Sequence, residues 1–360
     1  MGIAADQGAA PARRWQSSPS TGGRGLGVRT VRVTVARMGP RSVLHPEGFH
    51  GQGVTSAYFE GWYVKLVSAD RSARWAVIPG VFLGTDGGDE AFVQVLDGMT
   101  GRSWYHRYDV AEFGAETDSF EVRVGPNRFS DRGVVLDLPS LRGEVRFTTP
   151  LDPWPVTLRS PGVRGWYAWV PKMECKHGVV SLGHDLAGRL EHDGVAASFD
   201  GGRGYLEKDW GAAFPAGYVW TQTNHFSDPS TCLSASIALI PWLRSEFRGH
   251  IVGLQHQGEL HRFATYTGAR TTHLAITDDE VRWTLRAKKG STLEITADRP
   301  RGALLHAPVR TEMHKRVEET LDATVHVRLT DGDGRVLLDD VGHCAGLEVH
   351  GDLDRLLATD

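Results

Sequence analysis

An all-β fold is what this sequence predicts, and three observations carry the prediction. The 360 residues include 43 Gly and 17 Pro, a supply of turn formers that suits many short connections. From about Tyr58 onward, short runs of β-branched and aromatic residues are separated by Gly, Asp and Pro every ~8 to 14 residues, the spacing of an antiparallel sheet. Hairpin punctuation recurs at 85–90 (TDGGDE), 97–102 (DGMTGR), 191–194 (EHDG), 256–259 (HQGE) and 330–334 (TDGDG).

Taken in order, the chain begins with residues 1–40, which hold Arg13, Arg14, Arg24, Arg29, Arg32 and Arg37 against Asp6. Without a continuous apolar core this is not a secretory signal; it reads as a disordered arm or as sequence ahead of a true start at Met38. About 20 candidate strands follow, too many for one barrel, and sheets of that width close or split. Two antiparallel barrels of about 8 to 10 strands are expected, over 41–199 and 200–360. Pro150–Pro161 offers a boundary, but strand-like segments continue to about Phe199, which moves the break to Asp200–Gly204. One short helix near the C-terminus is predicted over Arg310–Leu321, where Met313, Val317 and Leu321 recur at helical spacing behind Pro308. The TDGDG turn lacks the remaining ligands and flanking helices of a calcium loop and is read as a turn.

Composition excludes several classes. Forty basic residues against 44 acidic ones leave a net charge of −4 with no basic run in the body of the chain, so neither nucleic-acid binding nor a polybasic membrane anchor is expected. The longest apolar stretch, Leu233–Leu243, is broken by Ser234, Ser236 and Pro241 and falls short of the ~20 residues of a spanning helix. Cys175, Cys232 and Cys344 are too few and too scattered for a disulfide framework or a Cys-x-x-Cys metal site, and a reducing cytoplasm is the default compartment.

Three segments look chemical. In 58–66 (YFEGWYVKL), strand alternation puts Tyr58, Glu60, Trp62, Val64 and Leu66 on one face. A carboxylate in an apolar stripe is either a paired core residue or an acid whose pKa is raised by desolvation. In 218–226, Tyr218, Trp220, Gln222, Asn224 and Phe226 share a face, suited to stacking an unsaturated ligand and hydrogen-bonding its oxygens, or else to an amide-bearing outer surface. Between them, 200–211 (DGGRGYLEKDWG) groups Arg203, Tyr205, Glu207 and Asp209, either a structural ion-pair cluster or two carboxylates driven to different pKa values. Its glycines do not follow the G-x-G-x-x-G spacing and no crossover helix follows, so a nucleotide loop is rejected. Cys175 and His177 point the same way in a strand, but nothing in the sequence completes a zinc set, and no metal is expected. His184 reads as a satisfied core histidine. Trp154, Trp166, Trp169, Trp210 and Trp220 crowd the central stretch and are expected to line or support a pocket.

At these residues the chain resembles the tocopherol cyclase family. The resemblance runs through YFEGWYVK (58–65), WVPKMECKHGVVSLGHDLAG (169–188), FDGGRGYLEKDWGAAFP (199–215), VWTQTNHF (219–226), ALIPWL (238–243), RFATYTGA (262–269) and APVRTEMHKRVEETLDATVHVRL (307–329). It covers nearly everything from His45 to Gly351, in order, and leaves out the Arg-rich arm.

The resemblance implies two lipocalin-like (calycin) barrels around an apolar cavity and a cofactor-free cyclisation. An acid protonates the trisubstituted alkene of a prenylated hydroquinone, and the phenol oxygen captures the tertiary cation to close a chromanol ring. The partner implied is a hydrophobic small molecule, and the protein is expected in the cytoplasm, with room for peripheral membrane contact to collect it. Holding a Glu half-protonated at neutral pH means raising its pKa from ~4.3 to ~7, a cost of about 3.7 kcal/mol, so only a well-desolvated carboxyl qualifies. Glu60, Glu207 and Asp209 are the catalytic candidates. Glu60 best meets the desolvation requirement, and the other two are better placed as a coupled pair. Trp62, Tyr205 and Trp220 are candidate cavity aromatics, and Arg203, Gln222 and Asn224 candidate head-group binders. A non-catalytic carrier of a quinone, lipid or pigment, and a related two-barrel enzyme of hydration or cycloaddition, stay open.

Overall fold

Runs of β-branched and aromatic residues form antiparallel strands that bury one face or both; here outer strands such as Glu121–Val124 and Glu280–Arg286 alternate buried and more exposed residues, while central ones such as Tyr58–Val67 are covered on both faces. The computed structural model describes residues 43–170, 173–242, 245–309 and 311–358, so the 1–40 segment lies outside the described residues. Twelve strands form the first antiparallel sheet: β1 (Tyr58–Val67), β2 (Arg74–Leu83), β3 (Glu90–Asp97), β4 (Arg102–Tyr108), β5 (Phe113–Ala115), β6 (Glu121–Val124), β7 (Asn127–Ser130), β8 (Gly133–Asp137), β9 (Arg142–Phe147), β10 (Cys175–His192), β11 (Val195–Ser198) and β12 (Gly202–Gly211). Ten form the second: β13 (Gly217–Thr223), β14 (Cys232–Trp242), β15 (Ser245–His256), β16 (Glu259–Ala264), β17 (Arg270–Ile276), β18 (Glu280–Arg286), β19 (Thr292–Asp298), β20 (Ala303–Pro308), β21 (Met313–Thr330) and β22 (Val336–Gly351). A helix, α1 (Leu353–Ala358), follows and buries Leu356. No described helix is long and apolar enough to cross a membrane.

The strand order is β4-β3-β2-β1-β12-β10-β9-β8-β7-β6-β5 in the first sheet, with β11 on β10, and β16-β15-β14-β13-β22-β21-β19-β18-β17 in the second, with β20 on β21. The all-β, lipocalin-like architecture expected from the sequence is present, but the barrels are not closed: β4 does not pair with β5, nor β16 with β17. Instead β4 lies against the second sheet, where Ser103 Oγ donates to the Leu304 carbonyl at 2.9 Å and the Tyr105 ring stacks on His306 at 4.1 Å. An edge covered by another element has no need of a closing strand.

Two further expectations change. The segment Asp200–Gly204 is not a linker between sheets. It is the bend between β11 and β12, which follow one another antiparallel along β10, with Gly201 at φ +72°; β12 pairs with β1 and β10, so the change of sheet falls between Gly211 and Gly217. The short C-terminal helix exists as α1, whereas 313–321 of the predicted helix belongs to β21. Met313, Val317 and Leu321 are four residues apart, and a step of four is also an even step along a strand, so the spacing satisfies both periods.

Each sheet has its own apolar core. Trp62, Val64 and Leu66 of β1 enter the first, with Phe129, Val145 and Leu206. Leu233, Ile237, Trp283, Ile295 and Val325 belong to the second. A third cluster joins the sheets through Tyr63, Val179 and Tyr205 on one side and Tyr218, Trp220, Leu305 and Leu321 on the other. Central strands such as β1 and β12 are therefore buried on both faces.

Candidate active site

Where the two sheets meet, their strands enclose a cavity of ≈ 180 Å³. Register sets its walls. In the first sheet, His177 of β10, Asp209 of β12 and Gly61 of β1 are cross-strand neighbours, and Glu207 lies opposite Tyr63. In the second, one row runs Glu319 of β21, Glu348 of β22, Trp220 of β13, Ser236 of β14 and Ile251 of β15. All of these line the cavity, and Phe59, Phe92, Phe214 and Met313 add apolar wall.

Each of the three glutamates is gripped by a tyrosine. Tyr205 Oη donates to Glu207 Oε2 at 2.5 Å, Tyr63 Oη to Glu319 Oε1 at 2.5 Å, and Tyr218 Oη to Glu348 Oε2 at 2.6 Å. Glu207 Oε2 also accepts from Trp220 Nε1 at 3.2 Å and lies 3.5 Å from His177 Nε2, while His177 Nδ1 is 3.1 Å from Asp209 Oδ1. Burial raises the Glu207 carboxyl to about 7, opposed by His177 and reinforced by Asp209. Burial alone would lower His177, but Asp209 and Glu207 prevail and raise it to about 9, so the imidazole is cationic at neutral pH. Burial and then the Glu348 charge push Glu319 well above the carboxylate range, and burial lifts Glu348 to about 7. Among the described residues Glu319 Oε2 meets no N–H or O–H donor, and its carboxyl faces that of Glu348. Two acceptors in that position are satisfied when one proton lies between them. The cavity thus keeps acid protons beside aromatic rings.

Of the residues nominated from sequence, Glu207, Asp209 and Trp220 line this cavity, and Tyr205 reaches it through Glu207. Glu60 does not. It is on the opposite face of β1, fully buried, where it accepts from the His50 N–H at 2.9 Å, the Gly51 N–H at 3.0 Å and the Tyr58 hydroxyl, and is ion-paired with Lys208. Burial would raise its carboxyl, yet Lys208 and His50 together hold it below the usual carboxylate range, so Glu60 is a buried carboxylate, ionised at neutral pH. Trp62 shares that face, its Nε1 donating to the Glu47 carbonyl at 2.8 Å.

The expected head-group binders are also elsewhere. Arg203 lies 3.6 Å from Asp185, Gln222 Oε1 accepts from the buried Lys65 Nζ at 2.9 Å, and Asn224 Nδ2 donates to the Gly204 carbonyl at 2.9 Å. Gln222 and Asn224 join the two sheets beyond the cavity, and the Arg203–Asp185 pair lies within the first sheet. Among the central tryptophans only Trp220 lines it; Trp154 and Trp210 are buried, and Trp166 and Trp169 are exposed on the surface. His184 is a core residue with Nδ1 2.9 Å from Ser181 Oγ, but its Nε2 is buried without a hydrogen-bond partner among the described residues, so the expected satisfied histidine is satisfied at one nitrogen only; burial lowers it to about 3.

Sequence reasoning missed Tyr63, Arg164, Glu319 and Glu348, and passed over His177. Glu319 carries the same signature that singled out Glu60: it shares its strand face with Met313, Val317 and Leu321. One ligand atom each from His177, Glu207 and Asp209 lies within 4.8 Å of the others, which makes this trio, among the described residues, the group able to hold a metal ion. Its atoms are already engaged with one another, with Tyr205 and with Trp220.

The sequence pattern of tocopherol cyclase-like proteins matches residues 132–351, more than half of the chain and every charged residue of the cavity. The chain belongs to the tocopherol cyclase-like family. A protein of Oryza sativa subsp. japonica named as a probable chloroplastic tocopherol cyclase is 24% identical over 370 residues, spanning 84% of this chain and 77% of that protein. The chloroplastic tocopherol cyclase of Zea mays is 23% identical over 382 residues, spanning 86% and 78%. Among solved structures, CghA with Sch210972 superposes with a TM-score of 0.53 at 13% identity, over 82% of this chain and 89% of that one, a likeness of fold.

Within this family member, Gly61 offers a direct test of the cavity. A Cβ there would sit in ordinary contact with Ile78, Pro79 and Phe92 at 3.6–3.9 Å, and a longer side chain would take up part of the cavity that Gly61 lines. Gly61→Leu is expected to weaken binding of an apolar aromatic probe by at least about tenfold, read by quenching of the tryptophan fluorescence, with thermal stability retained. Unchanged affinity would place the ligand elsewhere.

Proposed function

We propose that this protein catalyses the acid-initiated cyclisation of a prenylated hydroquinone, or a similar terpenoid-aromatic molecule, to a chromanol-type ring. The observation that carries the reading is a protonatable carboxyl, Glu207, itself buried and set among aromatic side chains in the wall of a mostly apolar cavity. The Glu207 carboxyl gives its proton to one carbon of the alkene, whose π pair forms the new C–H bond and leaves a tertiary cation. A lone pair of the phenol oxygen then forms the C–O bond, and the hydroxyl proton returns to the carboxylates of the cavity, so the reaction is an isomerisation.

Aromatic faces such as Trp220 and Tyr218 supply ~0.5 to 2 kcal/mol each to the cation, useful only once the acid has created it. The Glu319–Glu348 pair, sharing one proton, leaves a negative charge in the same wall. A carrier would need the apolar wall alone; three tyrosine-held glutamates in that wall favour catalysis. A substrate of this kind partitions into bilayers, and peripheral contact with a membrane is the proposed route of collection.

Incubation with a prenylated hydroquinone from about pH 5 to 8 is expected to yield the chromanol, followed by chromatography and mass spectrometry. Tight binding without any chromanol across that range would instead support a carrier.

A further inference from the structure

Arg164 stands in the cavity wall, 6% exposed, and forms no ion pair with a carboxylate among the described residues. Its Nη1 reaches the Met173 sulfur at 3.2 Å and its Nη2 the Ala168 carbonyl at 3.4 Å. A thioether and one long carbonyl contact are poor provision for a guanidinium with five N–H donors. Although burial lowers it to about 10, it is still cationic at neutral pH; the Cys175 thiol beside it is raised well above its ordinary value by burial and is therefore neutral, and the charged groups it acts on, Lys176 and His177, are basic like itself. A buried cation without an anion is strongly unfavourable, so natural structures pair it or give it a ligand.

The backbone is shaped to hold it there. Arg164 belongs to the turn Gly162–Trp169, in which Gly162 and Gly165 take φ values of +68° and +54° that favour glycine. Gly165 lies against the Tyr266 ring, where a Cβ would come within 2.4 Å of Cδ2. His177, the other cation of the wall, is already paired with Asp209 at 3.1 Å. Arg164 therefore has its hydrogen-bonding capacity to spare, in a mostly apolar space whose other polar groups are acids, tyrosines, Gln94, Ser236 and two histidines.

We propose that Arg164 is the recognition site for a carboxylate carried by an otherwise apolar, unsaturated ligand of the cavity. A planar carboxylate accepts two parallel N–H bonds from a guanidinium and neutralises its charge, which a neutral phenol or ester cannot do. This rests on the proposed function only in that the same cavity holds the ligand, and it is read by binding, without turnover.

The test compares two probes, a geranyl-substituted para-hydroxybenzoic acid and its methyl ester, by fluorescence quenching and calorimetry at neutral pH. The wild-type protein is expected to bind the acid at least about tenfold more tightly than the ester. Arg164→Met should abolish that preference while leaving ester affinity unchanged, and Arg164→Lys should keep part of it. The wild-type comparison needs no variant, and loss of an unpaired buried cation is not expected to unfold the chain. Equal affinity of acid and ester for the wild type, or a preference that survives in Arg164→Met, would overturn the assignment. Because cyclisation of a prenylated hydroquinone is measured separately, a failure of either proposal leaves the other standing.

Discussion

Glu207→Gln is expected to lower turnover by about 10²–10⁴-fold while the protein stays folded, since that is the range a general acid contributes. The amide keeps the size of the side chain, and its oxygen can still accept from Tyr205 and Trp220, which now donate at 2.5 and 3.2 Å. What it removes is the proton. With the Glu207 carboxyl raised to about 7, wild-type activity should fall as pH rises through that value. Stability carries a second signature. A carboxyl whose folded-state pKa lies above its ordinary 4.5 binds more protons folded than unfolded between 4.5 and about 7, so its contribution to stability declines as pH rises through that window. In Glu207→Gln that decline should be missing from the pH dependence of urea unfolding. An unchanged rate in the variant would exclude Glu207 and move the acid to Glu319 or Glu348.

The fold was legible in the sequence because strand alternation and turn chemistry are local. The face grouping of β12 and β13 was legible for the same reason: Tyr205, Glu207 and Asp209 do share one face, and Tyr218 and Trp220 another. What local pattern cannot show is which face of a strand buried on both sides meets the ligand. In β1 both faces are apolar, and the cavity takes Phe59, Gly61 and Tyr63, the set opposite Glu60. The pairing of Glu319 with Glu348 was invisible for another reason. Those residues are 29 apart in sequence and meet only through the β21–β22 register, and the four-residue repeat around Glu319 fitted a helix as well as a strand. Arg164 sits in an irregular turn, where no period applies.

Lys208→Met is expected to destabilise the protein by about 3–5 kcal/mol, the cost of leaving one member of a buried ion pair without its partner. Glu60 and Lys208 are both sealed from solvent, and the ammonium also donates to the Gly48 carbonyl and lies 4.6 and 4.9 Å from the ring centres of Trp62 and Trp210. In the variant the Glu60 carboxylate keeps its backbone N–H donors and His50 but loses the charge that offsets its desolvation. Its folded-state pKa, now held below 4.5, should rise. In the wild type the stability that Glu60 contributes is present above 4.5 and lost as pH falls below it; in Lys208→Met that contribution should already be absent at neutral pH. The double variant Glu60→Gln with Lys208→Met removes both charges together and should recover much of the loss in guanidinium unfolding, because two neutral groups need no counter-ion. Turnover then separates structure from chemistry. The motif 207–209 joins both roles on one strand, with Glu207 and Asp209 facing the cavity and Lys208 facing Glu60. If the double variant folds and still cyclises substrate, Glu60 is a structural charge; if it folds and is as inactive as Glu207→Gln, the proton comes from the far face of β1 and the cavity described above is not the site of protonation.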